Sequence, residues 1–180
     1  MKSATDRTID VTQDTKDILR IFAVAVTQLL GDKELAYADP SERAIVARLA
    51  ELLKGKYEGW SIDLEWNRRE DVIKRLTYAL NRSQLIKEGA IVPDLIVHRV
   101  GKKENLLVVE VKKAENRNFE GDIWKLKGMT ELTGAYAYAV GVHLVVDITN
   151  GLVPQSDVYI DAEWKEDITE WLRLAIGGAD

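Results

Sequence analysis

The 180-residue chain has no cysteine, which removes disulfides, thiolate metal sites and a cysteine nucleophile in one step. It has only two histidines, so no paired-imidazole motif offers a zinc site either. Its three prolines, Pro40, Pro93 and Pro154, fall singly at expected element boundaries and build no linker. Repeats and low-complexity tracts are missing as well. The most apolar stretches, Ile21–Val26 and Val140–Val146, fall far short of the roughly 20 residues that span a bilayer. With no secretory signal, the expectation is a cytoplasmic protein that does not enter membranes.

What remains is 46% hydrophobic and 31% charged, the composition of a globular domain able to bury roughly 70% of its unfolded surface. One domain over residues 1–180 is expected. The net charge of −5 does not predict a whole-molecule attraction to nucleic acid. Its distribution is uneven: residues 66–127 hold 14 Lys and Arg against 9 Asp and Glu. That basic middle suits a polyanionic partner, and an ordinary solvated mixture of charges is the alternative.

Ile18, Leu19, Phe22, Val26, Leu29 and Leu30 recur at helical spacing and end at Gly31, which predicts a helix over residues 14–30. Asp39-Pro40-Ser41-Glu42 reads as an N-cap, a first-turn proline and a capping-box glutamate, opening a helix from Pro40 to about Lys54. Ser61–Asn67 alternates as a half-buried strand, and Asp71–Arg82 is read as a helix. Two Val/Ile/Leu-rich strands, Ile91–Val100 and Leu106–Lys113, flank the polar Gly101–Asn105 and predict an antiparallel pair. A helix over Phe119–Leu132, a strand over Ala139–Ile148 and a helix over 164–176 complete the chain. In that last helix Trp164 and Trp171 are placed toward the core. The fold class is therefore mixed α/β.

Pro93-Asp94 opens the second strand and Glu110-Val111-Lys112 closes the third. The tripeptide pattern alone says little, because Asp14-Thr15-Lys16 and Glu163-Trp164-Lys165 match it too. Position is what distinguishes it. A loop at Gly101–Asn105 sets Asp94 opposite Lys112, and a loop at Val100–Glu104 sets it opposite Glu110. In either register Asp94, Glu110 and Lys112 share one sheet face, and only an odd-sum register would separate them. Two neighbouring carboxylates among Ile96 and Val108 need compensation, which a divalent cation supplies. Oxygen donors suit Mg²⁺, or Mn²⁺ in its place, completed by substrate phosphate. The implied chemistry is hydrolysis at phosphorus, with Lys112 orienting the attacking water or stabilising the transition state. The competing reading makes Asp94 a strand cap and Glu110–Lys112 a solvated pair. His98 and His143 are read as core histidines rather than ligands, and Arg68 and Arg69 as exposed strand-end charge.

Pro93-Asp94, fifteen residues and Glu110-Val111-Lys112 between two apolar strands together resemble the PD-(D/E)xK phosphodiesterase superfamily. The resemblance covers about 110 of the 180 residues, Pro40–Ile148. It implies a restriction-endonuclease-like core, α-β-β-β-α-β, with added N- and C-terminal helices. It further implies a Mg²⁺-dependent nuclease acting on nucleic acid, DNA in the first instance. Asp94 and Glu110 would be metal carboxylates, the Val111 carbonyl a further ligand and Lys112 the catalytic lysine. Glu42 occupies the place of a helix glutamate that faces the metal, and it is equally a capping-box residue. Lys125 occupies the place of a helix lysine that joins the site, or is a solvent-facing helix residue. So short a chain would draw specificity from a homodimer, the flanking helices or a protein partner. An alternative from another class is a catalytically inactive module of this fold that binds nucleic acid or protein.

Overall fold

The computed structural model describes residues 11–64, 68–69, 72–73, 75–80, 85–90, 92–102 and 104–178. Helix α1 (Val11–Leu30) is followed by the short α2 (Lys33–Tyr37) and by α3 (Glu42–Leu53). On α1 the expected helical stripe faces inward, with Leu19, Phe22, Val26 and Leu29 fully buried. Helix α3 starts two residues later than the sequence pattern implied. Ser41, not Asp39, is the N-cap, its Oγ accepting the Ala44 N–H at 3.2 Å. Glu42 is thereby the first helical residue rather than the third, so it is not placed to close a capping box.

Strands β1 (Ser61–Leu64), β6 (Leu95–Arg99), β7 (Glu104–Lys113), β8 (Val140–Asp147), β9 (Leu152–Ile160) and β10 (Glu163–Trp164) form a six-stranded mixed sheet in the order β1-β6-β7-β8-β9-β10. Only β7 and β8 run parallel, and the crossover a parallel pair requires is supplied by α4 (Glu120–Thr130). Inserted between β1 and β6 are two small antiparallel ladders, β2 (Arg68–Arg69) with β3 (Val72–Ile73) and β4 (Arg75–Leu80) with β5 (Leu85–Ala90).

These strands correct the helix expected over Asp71–Arg82. The apolar residues 72, 73, 76 and 80 fit a helical spacing, but Arg75–Leu80 finds a pairing partner in Leu85–Ala90, and long-range pairing overrides local periodicity. Residues 65–67, 70–71, 74, 81–84 and 91 of the expected elements, and the N-terminal ten residues, lie outside those described.

Strands β9 and β10 have no counterpart in the sequence reading. Pro154 interrupts the alternation of β9, and the β8–β9 ladder shifts register between Val145 and Asp147, where a proline without an N–H is tolerated. The last helix, α5 (Glu166–Gly177), begins after Trp164, which pairs with Tyr159 in β10 and is 48% exposed. Trp164 is therefore not the core residue expected.

Strand alternation divides the core. Leu107, Val109 and Val111 of β7 pack with α1, α3 and α5, while Ile96 and Val108 pack with Trp124, Leu126 and Met129 of α4. Helix α4 rides close on β8. A Cβ at Gly141 would meet Thr130 Cγ2 at 2.9 Å and Leu126 Cδ2 at 3.2 Å, so a residue without a side chain is needed there. No helix among the described residues is long and apolar enough to cross a membrane.

Candidate active site

The β6–β7 ladder pairs Leu95 with Val109 and Ile96 with Val108. Continued one step, this register sets Asp94 across from Glu110, the second of the two arrangements considered from sequence. A shift between Val97 and His98 confines the irregularity to the far end of the hairpin. Because β6 begins only at Leu95, the Val111 N–H has no β6 backbone opposite it. Asp94 takes its place, Oδ2 accepting that N–H at 2.8 Å. The N–H and C=O of one extended residue point the same way, so the Val111 carbonyl is directed to the Asp94 side.

Glu110 and Lys112 project from the α4 face of β7. Glu110 is 1% exposed. Its Oε2 accepts from Lys125 Nζ at 2.5 Å, and its Oε1 has no hydrogen-bond partner among the described residues. Burial, with the Asp94 charge adding to it, pushes the Glu110 carboxyl well above the usual carboxylate range despite Lys125. Burial also raises Asp94, and the Val111 N–H and Lys125 offset only part of that.

Glu42 approaches from the start of α3. Its Oε1 accepts from the Lys113 N–H and from Asn116 Nδ2, each at 3.2 Å, and its Oε2 lies 3.5 Å from Lys112 Nζ. Glu42 thus bonds the end of β7 and the residues after it instead of closing a capping box. Lys125 likewise points inward rather than to solvent.

Two residues outside the sequence-derived set complete the cluster. Asp122, in the first turn of α4, is 5% exposed, with Oδ2 3.3 Å from Lys112 Nζ and Oδ1 3.3 Å from Lys125 Nζ. Burial alone would raise its carboxyl, but His143, Lys125 and Lys112 overcome this and hold it at about 2. His143, paired with Glu110 in the β7–β8 ladder, is fully buried, its Nε2 3.7 Å from Asp122 Oδ2. The available signals were the i,i+3 spacing of Asp122 and Lys125 and the strand alternation of β8. His98 is elsewhere, bonded through Nε2 to Asp63 Oδ2 at 2.6 Å.

Burial disfavours the ammonium forms of Lys112 and Lys125, but Asp122 and Glu42 around the first and Glu110 and Asp122 around the second reverse the effect, and both are raised. Four carboxylates, Glu42, Asp94, Glu110 and Asp122, thus surround two ammonium groups. Fully ionised, the cluster carries two uncompensated negative charges, the charge of one divalent cation. Among the described residues no three His, Asp or Glu side chains converge on one metal position. The oxygens that could hold a divalent cation are those of Asp94, Glu110 Oε1, which has no hydrogen-bond partner among the described residues, and the Val111 carbonyl, a donor set of the kind from which Mg²⁺ takes one or two carboxylates while keeping several waters.

Glu42 and Asp94 line a cleft of about 660 Å³ together with Arg43, Val46, Leu64 and Lys113. The chain finds no match among protein-family models, curated proteins or solved structures.

Proposed function

We propose that this chain is a metal-dependent nuclease of the PD-(D/E)xK type, hydrolysing phosphodiester bonds of nucleic acid, with DNA the first substrate to test. The observation that carries the reading is the pairing of the half-buried Asp94 with the buried Glu110, whose Oε1 has no hydrogen-bond partner among the described residues, beside Lys112 at the open end of two strands. The element order α3-β1-β6-β7-α4-β8 supports it, as it fits an α-β-β-β-α-β core with β2–β5 as an insertion. The basic stretch 66–127 and the cleft beside Glu42 and Asp94 agree with a polyanionic substrate.

A divalent cation held by Asp94, Glu110 and the Val111 carbonyl would supply a more acidic bound water and would neutralise charge on the phosphoryl oxygens. Lys112 stays an ammonium, because Asp122 and Glu42 raise it. It therefore acts as a donor that orients the attacking water and stabilises charge on the phosphoryl group, not as a general base. Glu42 holds the start of α3 to the β7 end through the Lys113 N–H and Asn116, and so sets one wall of the cleft. Lys125 neutralises Glu110 and has Asp122 as its second carboxylate, to which it could shift if a cation were held by Glu110.

The test incubates supercoiled plasmid, single-stranded DNA, branched DNA and RNA with Mg²⁺ or Mn²⁺ and with chelator, running Asp94→Ala and Lys112→Ala beside the wild type. Cleavage that requires metal and is lost in both variants is expected. Silence across the panel, with no metal binding that Asp94→Ala abolishes, would overturn the reading in favour of a binding module.

A further inference from the structure

Both lysines of the candidate site depend on a carboxylate that belongs to none of the motifs. We propose that Asp122 is a positioning residue: it gives Lys112 and Lys125 one carboxylate oxygen each, and so holds the Lys112 ammonium clear of Asp94 while Lys125 stays on Glu110 Oε2. The assignment of a catalytic consequence rests on the nuclease reading, while the placement of the lysines does not.

The geometry argues against two simpler roles. Asp122 sits where an acid can cap a helix, three residues after the N-cap Phe119, which makes no side-chain cap of its own. Its oxygens nevertheless lie against ammonium groups, Oδ2 by Lys112 on β7 and Oδ1 by Lys125 one turn along α4, at 3.3 Å each. Nor is Asp122 one half of a simple surface pair. It is 5% exposed, and the fully buried His143 backs it at 3.7 Å from Oδ2, its ring held edge-on by Phe119 at 4.8 Å between centroids. A buried carboxylate that reaches two cations on different elements fixes their separation, because each ammonium is tied to its own oxygen. With Asp122 neutral, Lys112 keeps only the longer 3.5 Å contact to Glu42. The carboxylate charge that then remains to compete for the ammonium is that of Asp94. Lys112 would be drawn toward it, away from the place where it can meet a phosphoryl group.

The experiment uses the full chain, uniformly labelled with ¹⁵N, and reads the lysine ammonium resonances, which survive solvent exchange only where the group is immobilised. Lys112→Arg and Lys125→Arg assign them. In Asp122→Asn the Lys112 resonance is expected to vanish while that of Lys125 persists on Glu110. In cleavage assays the same variant is expected to lose about 100-fold in kcat, the scale of a misplacement of about 1 Å in a catalytic group. KM for nucleic acid and the calorimetric Kd for Mn²⁺ are expected to stay within about threefold. In a Lys112→Met background, Asp122→Asn should cost nothing further, since it acts through Lys112. Retention of the Lys112 resonance in Asp122→Asn overturns the proposal, as does full additivity in the double variant or a loss of Mn²⁺ binding equal to that of Asp94→Ala. Should Asp122→Asn fail to fold, Asp122→Glu carries the test. It keeps an immobilised Lys112 at a changed chemical shift with reduced kcat, and an unchanged shift overturns the proposal. If the wild type cleaves nothing, the nuclease reading fails, and the resonance arm still decides what Asp122 does to Lys112.

Discussion

Replacing Lys125 by Met removes the ammonium bonded to Glu110 at 2.5 Å and leaves that carboxylate, 1% exposed, beside Asp94. Deleting one partner of a buried ion pair costs about 3–5 kcal/mol, because the other charge is stranded. Lys125 keeps one fifth of its side chain exposed, so the lower end applies, about 3 kcal/mol at mildly alkaline pH. For a chain of this length that corresponds to a melting temperature about 6–12 °C lower.

The loss depends on pH, and its sign follows from the raised Glu110 carboxyl. A carboxyl raised by the fold contributes stability that is fully present below its unfolded pKa and is lost as pH rises through its folded one. At acidic pH Glu110 is protonated in the variant, no charge is stranded and the two proteins differ little. As pH rises through the Glu110 pKa the gap opens to its full size. Lys125 itself is raised, so in the wild type its ammonium is kept throughout the neutral range and faces Glu110 whenever that carboxyl ionises. Millimolar Mg²⁺ or Mn²⁺ should then stabilise the variant more than the wild type, since the cation replaces the missing charge without having to displace a lysine. Thermal melts at acidic and mildly alkaline pH, with and without metal, check this. A loss equal at both pH values and indifferent to metal would refute the reasoning and make Lys125 an ordinary packing residue of α4.

Three further outcomes are expected. The apparent affinity for Mn²⁺ should rise with pH by about tenfold per unit for each proton displaced, levelling above the raised Glu110 pKa. Calorimetry in buffers of different ionisation heat counts those protons, and Glu110→Gln should flatten the dependence. Asp94→Ala strands the Val111 N–H that Asp94 Oδ2 accepts at 2.8 Å and should destabilise by about 1–3 kcal/mol in urea titrations without metal; unchanged stability would show that this bond is not kept in solution. Gly141→Ala drives a Cβ to within 2.9 Å of Thr130 Cγ2 and should cost about 1–3 kcal/mol by overpacking, with a shift of α4 visible in the chemical shifts of Asp122 and Lys125.

Much of this architecture was legible because it is written in local periodicity. The inward stripe of α1, the alternation of β6 through β8 and the shared face of Glu110 and Lys112 all follow from repeats of 3.6 and 2 residues that the chain carries wherever it folds. Absence of cysteine and of paired histidines likewise confined any metal chemistry to oxygen donors before any contact was known. What depended on distant partners was not legible. Arg75–Leu80 reads as helix or strand until Leu85–Ala90 pairs with it, and Trp164 reads as a helix residue until β10 joins β9. Glu42 reads as a capping-box residue until Ser41 replaces Asp39 as the N-cap and makes Glu42 the first residue of the helix. The choice between the two hairpin registers turned on a bulge at Val97–His98, a single inserted residue that no composition or period specifies.

The same division runs through the site. Alternation along β7 puts Glu110 and Lys112 on one face whatever the fold, whereas Asp94 joins them only because the Val97–His98 bulge changes the register set by the Arg99–Glu104 pair. Only the tertiary structure brought Asp122 from α4 and His143 from β8 beneath the lysines, because their closeness is set by how α4 crosses from β7 to β8 over Gly141, a packing distance rather than a pattern.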